Sequence, residues 1–259
     1  MKLYKSRRGS GVHLCHIAPV KGDGFTGLLH GLNLFVGGSH QNRKHGRRYW
    51  SGGMFISNSE LLKEWAIDNT TSTNDILLKI EKFLGDIIPR YLELYPVTKS
   101  KKVSVINKIL EVDKSASFDV LMMHQSQYLQ ERWASLSHTR YHAISPSPES
   151  KYITYIDSVS RFINDGGRRS KIFRSLRKLL IVGYTVLSKV TSSKTFNKNF
   201  EGEYGHMLPL GFRNARLKRE SDWSKFKDFM YDTAFNTLQG RGLNINKFKS
   251  RLLSYLEFS

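Results

Sequence analysis

The chain has 259 residues, enough for one or two domains, and its 39% hydrophobic content predicts a folded protein with a buried core. It carries 41 Lys and Arg residues against 22 Asp and Glu, and the resulting net charge of +19 is far outside the range of ordinary soluble enzymes. This excess predicts a polyanionic partner, with a merely basic protein of ribosomal type as the alternative. The single cysteine, Cys15, excludes an intrachain disulfide and a paired-cysteine zinc site, and it favours a reducing compartment.

Neither a secretory signal nor a transmembrane segment is expected. Residues 1–8 are charged and lead into Gly9-Ser10-Gly11 rather than into an apolar segment. The most apolar run, residues 179–187, is about half the length needed to span a bilayer, and it is expected to be a core helix. We therefore expect a cytoplasmic protein that does not bind membranes.

The first predicted elements are two short strands and a short helix. Val12 and Leu14 indicate a strand that delivers His16 at its end, where Pro19 stops the ladder. Residues 21–24 supply turn chemistry, and residues 32–36 form a second apolar run ended by two glycines. Ser39 is then expected to cap a short helix. The predicted order is strand, strand, helix, with the two strands forming a hairpin.

The composition changes near residue 57. The first 58 residues hold eleven of the twenty glycines and five of the nine histidines, with Asp23 as the single acidic residue. We predict a small basic module over residues 1–57 and helical regions over residues 58–144 and 149–259, which either stand apart or pack together as one domain. The Ser-Pro-Ser-Pro stretch at 145–148 is the expected linker, with an ordinary loop as the alternative.

The rest of the chain shows mainly helical spacing. Ser57 to Glu60 has the form of a capping box and predicts a helix that includes Leu61, Leu62, Trp65 and Ala66. Apolar residues recur over 76–92 at helical spacing, and Pro89 is expected to kink or split that helix. Further helices are predicted at 103–111, 117–136, 152–163, 168–189, 221–238 and 246–256. The expected fold class is α+β, predominantly α.

Residues 12–48 resemble the HNH endonucleases of the ββα-metal fold, in the variant whose third signature residue is asparagine. Cys15-His16-Ile17-Ala18-Pro19 matches the first motif, Asn33-Leu34 matches the second, and Asn42 stands nine positions after Asn33 as the third. The resemblance implies that His16 is the general base, that Asn33 orients it and that Asn42 coordinates a divalent cation.

Elementary chemistry agrees with this resemblance. Hydrolysis of a phosphodiester needs a deprotonated water and a cation that neutralises the charge developing on the phosphate. A neutral imidazole can accept that proton at physiological pH. Because amide oxygens favour hard cations, Mg²⁺ or Mn²⁺ is the expected cofactor.

Cys15 departs from the family pattern, which has Asp or His at this position. A thiolate is a soft ligand that suits Zn²⁺ better than Mg²⁺. Three outcomes stay open: Cys15 ligates a softer metal, another residue replaces it, or the site is degenerate. A buried thiol without a role is a further alternative. The candidates for replacement are His13, Asp23, His40 and His45.

Two concentrations of basic residues are predicted to contact nucleic acid. The alternative for the first is a solvated face, and the alternatives for the second are an acidic partner or a membrane surface. The first is Arg43, Lys44, Arg47 and Arg48. The second is Arg168, Arg169, Lys171, Arg174, Arg177 and Lys178. Tyr49 is a candidate for stacking on a base, whereas Trp50 is expected to pack against the rest of the protein.

The sequence therefore predicts a metal-dependent HNH-type endonuclease that acts on DNA, most simply on double-stranded DNA. Two alternatives stay open: a non-catalytic nucleic-acid-binding protein that keeps a degenerate HNH frame, and a nuclease that cuts RNA. The sequence predicts neither the cut site nor the oligomeric state.

Overall fold

A computed structural model describes residues 11–94, 100–139, 149–191 and 202–258. Contacts divide the chain into two compact units, one formed by Met1–Leu61 with Pro146–Ser259 and the other by Leu62–Ser145. The predicted α+β class is confirmed. The basic N-terminal segment, which the sequence set apart at residue 57, shares its unit with the C-terminal helices. The predicted linker at 145–148 lies outside the described residues.

The secondary structure follows the chain in this order. The strands are β1 Val12–His16, β2 Phe25–Gly27, β3 Leu34–Gly38, β4 Phe55–Ser57, β5 Arg216–Leu217 and β6 Leu256–Glu257. The helices of the first unit are α1 Ser39–His45, α7 Glu149–Asn164, α8 Ser170–Thr191, α9 Trp223–Leu238 and α10 Ile245–Ser254. The helices of the second unit are α2 Thr73–Leu84, α3 Ile87–Leu94, α4 Lys101–Val112, α5 Phe118–Met123 and α6 Ser126–Leu136.

Both predicted strands and the predicted short helix near the N-terminus are present, but an unpredicted strand, β2, lies between the two strands in the chain. β1 and β3 are antiparallel, with Val12 opposite Gly38 and His16 opposite Leu34, and α1 follows β3 directly. One detail of the prediction was wrong: Ser39 is the first residue of α1, and Gly38 precedes it in extended conformation without a side-chain cap.

Side chains of α7 cover the free edge of β3. The Gly38 N–H donates to the Tyr155 hydroxyl at 2.9 Å, and the Ser158 hydroxyl donates to the Val36 carbonyl at 2.8 Å. The Arg161 guanidinium donates to the carbonyls of Leu34 and Gly31. These bonds satisfy backbone groups that an edge strand otherwise exposes.

The hairpin shares one hydrophobic core with the C-terminal helices. Phe35 of β3 is fully buried and meets Phe235 of α9 edge to face, with ring centroids 5.4 Å apart. The run at 179–187 lies within α8 and, as predicted, supplies core residues, among them Leu180 and Leu187. The small N-terminal module thus gains its hydrophobic support from helices far along the chain.

A second small sheet was not predicted from the sequence. β2 and β4 are antiparallel, with Phe25 opposite Ser57 and Gly27 opposite Phe55. Each strand has only three residues, too few to display a convincing alternation of apolar and polar side chains. The predicted capping box at Ser57 is present, but it begins a single 3-10 turn, Asn58–Glu60, rather than an α-helix.

In the second unit the periodic segment 76–92 is two helices, as the sequence allowed, but the break is not at Pro89. α2 ends at Leu84 and is followed by Gly85, whose φ of +54° suits glycine. Pro89 lies in the first turn of α3, where a missing N–H costs no helical bond. The segment 117–136 is likewise divided, into α5 and α6. Ile106, Ile109, Leu121 and Leu129 form the core of this unit.

The remaining helices lie close to their predicted ranges, which were 103–111, 152–163, 168–189, 221–238 and 246–256. Among the residues that the structure describes, none of these helices combines the length and the apolar character needed to cross a bilayer.

Candidate functional site

His16 is the last residue of β1 and the first candidate for catalysis. Its side chain is half-buried, and within the described residues no hydrogen bond to it is found. Burial lowers the pKa of its imidazole below the usual value of 6.5, because a buried site disfavours the charged form. The ring is therefore neutral at physiological pH and has lone-pair capacity to accept a proton.

Asn33 is fully buried and fastens the loop that follows His16. Its Oδ1 accepts from the backbone N–H groups of Ala18 at 2.8 Å and Met54 at 3.1 Å. Its Nδ2 donates to the carbonyls of Ala18 at 3.0 Å and Leu28 at 2.8 Å. The Asn33 carbonyl also accepts from the Ile17 N–H at 2.8 Å. Asn33 was expected to orient His16, and the observed bonds go to the backbone beside His16, not to its ring.

Gly53 lies against the Asn33 carboxamide and the Ala18 backbone. Its φ of +74° lies in the left-handed region, and a Cβ here would sit 2.7 Å from the Ala18 nitrogen and would overlap Asn33 Oδ1. Only glycine lets the chain before β4 approach the carboxamide closely enough for the Met54 bond. Three sequence-distant segments thus meet around one buried asparagine.

Asn42 faces His13 from α1. Its Nδ2 lies 3.4 Å from His13 Nδ1, and both side chains are half-buried. Rotation of the Asn42 carboxamide by half a turn exchanges its nitrogen and oxygen. The carboxamide oxygen and His13 Nδ1 then direct lone pairs toward the same point. Neighbouring ligands in an octahedral shell with metal–ligand distances of about 2.1 Å are roughly 3 Å apart. The pair His13 and Asn42 therefore fits two positions of a divalent cation.

Cys15, which was predicted as a metal ligand, lies in the hydrophobic core. Its side chain is 1% exposed, and its thiol donates to the His13 carbonyl at 3.4 Å. Burial raises the pKa of this thiol to about 12, so it stays protonated at neutral pH and lacks the charge that a ligating sulfur needs. Cys15 belongs to the hydrophobic core that the hairpin shares with the C-terminal helices. This burial favours the alternative in which another residue takes the place of Cys15.

Two of the four basic residues predicted on and after α1 are committed to intramolecular contacts. Lys44 forms an ion pair with Asp232 at 3.1 Å. The Arg48 guanidinium donates to the carbonyls of His45, at 2.9 Å, and Lys44, which satisfies the C-terminus of α1. Arg43 and Arg47 are exposed, and no bond to another described residue holds either one.

The second basic group divides in the same way. Arg169 donates to the Arg241 carbonyl at 3.0 Å and Arg177 to the Ser160 hydroxyl at 3.2 Å, so these two guanidinium groups hold the fold. The other four are exposed: Lys171, Arg174 and Lys178 lie along one face at the start of α8, and Arg168 lies in the turn just before that helix. We call these four residues the α8 stripe: Arg168, Lys171, Arg174 and Lys178.

The structure also places His45, Trp50 and His40, which the sequence had singled out. His45 is 5% exposed, and its Nε2 lies 2.7 Å from the Arg48 carbonyl. Trp50 packs edge to face on His45 at 5.0 Å and lies under the Arg241 guanidinium, in agreement with its predicted packing role. His40 is exposed on α1.

An exposed group of aromatic rings lies beside the hairpin and was not predicted from the sequence. Phe25, Tyr49 and Phe55 are in mutual contact, with centroid separations of 5.0, 4.8 and 6.2 Å. We call these three residues the aromatic cluster. Only Tyr49 had been noted, because Phe25 and Phe55 stand in separate short segments whose pairing the sequence does not reveal.

Comparison with known proteins gives no match: no family model, curated protein or solved structure is similar to this chain at a significant level.

Proposed function

We propose that the protein is a metal-dependent endonuclease of the HNH type that hydrolyses phosphodiester bonds in DNA. The observation that supports this most directly is the corner formed by β1, β3 and α1. It presents a half-buried imidazole at a strand exit, a buried asparagine that braces the following loop, and an imidazole–carboxamide pair next to the helix.

His16 is the proposed general base. Its lowered pKa keeps the imidazole neutral, and a neutral ring can take a proton from the attacking water as the bond to phosphorus forms. Asn33 acts as a positioning residue, because its carbonyl and carboxamide fix the backbone of Ile17 and Ala18 directly after His16. Three hydrogen bonds to Asn33 hold this loop and keep the base in one place during the reaction, and two further bonds join Asn33 to Leu28 and Met54.

His13 and Asn42 would hold the divalent cation, with Mg²⁺ or Mn²⁺ as the proposed identity. When bound, such a cation supplies charge neutralisation at the scissile phosphate and the departing oxygen. Two protein ligands leave positions open for water and substrate, as hydrolytic sites require. His13 takes the place that the family resemblance gave to Cys15.

The proposed base and the proposed ligand His13 have to meet one phosphate at the end of β1. His13 and His16 are three residues apart, roughly 10 Å along the strand, and the alternation of a strand turns their side chains toward opposite faces. His16 is the last residue of β1. Its imidazole therefore has to reach the phosphate around the end of the strand.

The substrate would be held by exposed cations that have no internal partner among the described residues. Arg43 and Arg47 follow the third motif residue, Asn42, in sequence, and the α8 stripe offers four further charges. Phosphate contacts of this kind give affinity and register without reading the base sequence.

The decisive experiment compares wild type with His16→Ala for conversion of supercoiled plasmid, in EDTA and with Mg²⁺ or Mn²⁺ added. We expect metal-dependent nicking or linearisation by wild type, and loss of at least about a hundredfold in rate for His16→Ala, as for removal of a general base. Plasmid affinity, measured in EDTA, should change little.

His40→Ala is the matched control, because His40 is an exposed histidine of the same module. It should cleave like wild type. Absence of cleavage with either metal, together with salt-sensitive plasmid binding, would refute the enzyme and favour the non-catalytic binding protein. Cleavage that requires a 2′-hydroxyl at the cut site would instead favour an RNA nuclease.

A further inference from the structure

Hydrogen bonds join the strands that carry Phe25 and Phe55 to the loop after His16 and to Asn33, and from these bonds we place the aromatic cluster near the candidate active site. Phe25 begins β2, and at the end of that strand the Gly27 N–H donates to the Pro19 carbonyl at 2.9 Å. Phe55 begins β4, and the residue before it donates to Asn33 Oδ1 at 3.1 Å. Both strands that carry the cluster are thus fastened to the segment that positions His16.

The rings of the cluster are accessible. Phe55 is 48% exposed and Tyr49 is 36% exposed, although each contacts Phe25. The Tyr49 hydroxyl donates to the Gly52 carbonyl at 3.1 Å, which fixes the orientation of its ring. A rigid aromatic surface of this kind leaves apolar area in contact with water unless a partner covers it.

Charge selects the partner. Residues 11–58 carry five Lys or Arg side chains and one acidic residue, Asp23, and Arg47 and Arg48 directly precede Tyr49. Aromatic rings bordered by cations match the two parts of a nucleotide, since the base stacks on a ring and the phosphate meets a positive charge. In a duplex, the faces of the bases are covered by their neighbours, so only an unpaired base can use such a surface.

We propose that the aromatic cluster binds an unpaired nucleobase of the DNA substrate, beside the phosphodiester that is cut. This inference rests on the proposed function for the identity of the substrate. It departs from the expectation of an uninterrupted double-stranded substrate, and it predicts preference for single-stranded or locally opened DNA.

The test is equilibrium binding in EDTA, so that the result does not depend on cleavage. The probes are a single-stranded oligodeoxynucleotide of about 15 nucleotides and its abasic counterpart of equal length and charge. Wild type should bind the base-containing strand about tenfold more tightly, the range that one base–aromatic stack contributes. A strand containing 2-aminopurine should show a fall in fluorescence on binding, because stacking quenches that base.

Phe55→Leu removes the ring but keeps an apolar side chain. Phe258→Leu is the control, since Phe258 is 50% exposed in the same unit and contacts the ring of Phe212. Phe55→Leu should weaken binding of the base-containing strand about tenfold and leave abasic binding unchanged. Phe258→Leu should change neither, and Tyr49→Phe should keep the base preference. Circular dichroism establishes that each variant is folded.

Equal affinity of wild type for the two strands, or equal behaviour of the two Leu variants, would overturn the proposal. So would self-association that Phe55→Leu abolishes, since the cluster would then bind a second copy. Base-dependent binding without any cleavage would support the stacking surface and refute only the enzyme. Cleavage with base-independent binding would refute only the stacking surface.

Discussion

The carboxamide of Asn33 binds the backbone of Ala18 in both directions: Oδ1 accepts from the Ala18 N–H at 2.8 Å, and Nδ2 donates to the Ala18 carbonyl at 3.0 Å. Ala18 itself is fully buried. An asparagine is suited to this position because one planar group supplies an acceptor and two donors. Asn33, which the sequence marked as part of a catalytic motif, therefore also stabilises the fold through its hydrogen bonds.

Asn33→Ala should destabilise the protein by about 2–4 kcal/mol, because it leaves several buried backbone groups without a partner. Asn33→Asp should destabilise it too, since a carboxylate oxygen would then face the carbonyls of Ala18 and Leu28. Urea unfolding followed by circular dichroism measures both. Asn164→Ala, an exposed asparagine at the end of α7, is the control and should change stability by less than about 0.5 kcal/mol. If Asn33→Ala were as stable as wild type, the hydrogen bonds of Asn33 would not stabilise the fold as predicted.

The pH dependence of cleavage follows from His16. The base acts in its neutral form, so activity should fall as the pH drops through its pKa. Because burial lowers that pKa, the acidic limb of kcat/KM should have its midpoint below 6.5. Cleavage rates in a series of buffers at constant ionic strength give this midpoint. A midpoint well above 6.5 would indicate that a different group acts as the base.

His13 and Asn42 should each contribute to metal affinity. His13→Ala and Asn42→Ala should each raise the Mn²⁺ dissociation constant by about tenfold or more, since each removes one of two protein ligands. Isothermal titration calorimetry with Mn²⁺ measures this without reference to activity. Cys15→Ala should leave the affinity unchanged, because the thiol is buried and protonated. A larger effect of Cys15→Ala than of His13→Ala would restore the cysteine as a ligand.

The same cation reports on its distance from the base. Mn²⁺ is paramagnetic, and bound at His13 and Asn42 it should broaden the imidazole NMR signals of His16 more than those of His206, an exposed histidine outside the module. Equal broadening of the two rings would separate the metal site from the proposed base.

The Cys15 thiol should be unreactive in the native protein. Its pKa of about 12 leaves almost no thiolate at neutral pH, and its side chain is 1% exposed. Iodoacetamide should therefore modify it only after denaturation, which mass spectrometry of the intact protein can follow. Rapid alkylation under native conditions would mean that the hairpin opens away from α7.

The α8 stripe should act through phosphate contacts. Replacement of its four residues by Gln should reduce the salt dependence of DNA binding, with a change in log–log slope of about 0.9 for each phosphate that is no longer neutralised. Fluorescence anisotropy over a range of NaCl concentrations gives the slope. A variant with the same reduction of charge in the second unit is the control: Lys63→Gln, Lys82→Gln, Lys101→Gln and Lys114→Gln. Equal slopes for the two variants would assign the effect to net charge alone.

The local part of the site was predictable, because short-range signals determine it. Two apolar runs, the first stopped by Pro19 and the second ended by two glycines, indicated the hairpin, and the motif spacing placed His16 at the end of β1 and Asn42 on α1. The burial of Cys15 was not predictable, since it depends on contacts with the distant helices of the shared core. The ion pair between Lys44 and Asp232 joins residues 188 positions apart in the sequence. No local sequence pattern indicates a contact between residues so far apart.

The errors in predicting where the helices break also arise because local patterns do not report tertiary contacts. Pro89 is a strong signal, but its effect depends on where the helix starts, and Gly85 had already ended the preceding one. The β2–β4 sheet was missed because two three-residue strands pair across a long connection and lack a periodic pattern of their own. Tertiary contacts, rather than propensity, determine these elements.

The bonds from α7 to the outer edge of β3 determine which pieces of this chain can be handled separately. The partners of Gly38 and Val36 lie 117 and 122 residues further along the sequence. A fragment that stops at Ser57 would carry a strand with open backbone groups, which invites pairing with another copy and aggregation. The segment that carries the motif residues is therefore not expected to fold when it is moved alone into another protein. Truncations or fusions that aim to keep its chemistry have to retain α7 as part of the same piece.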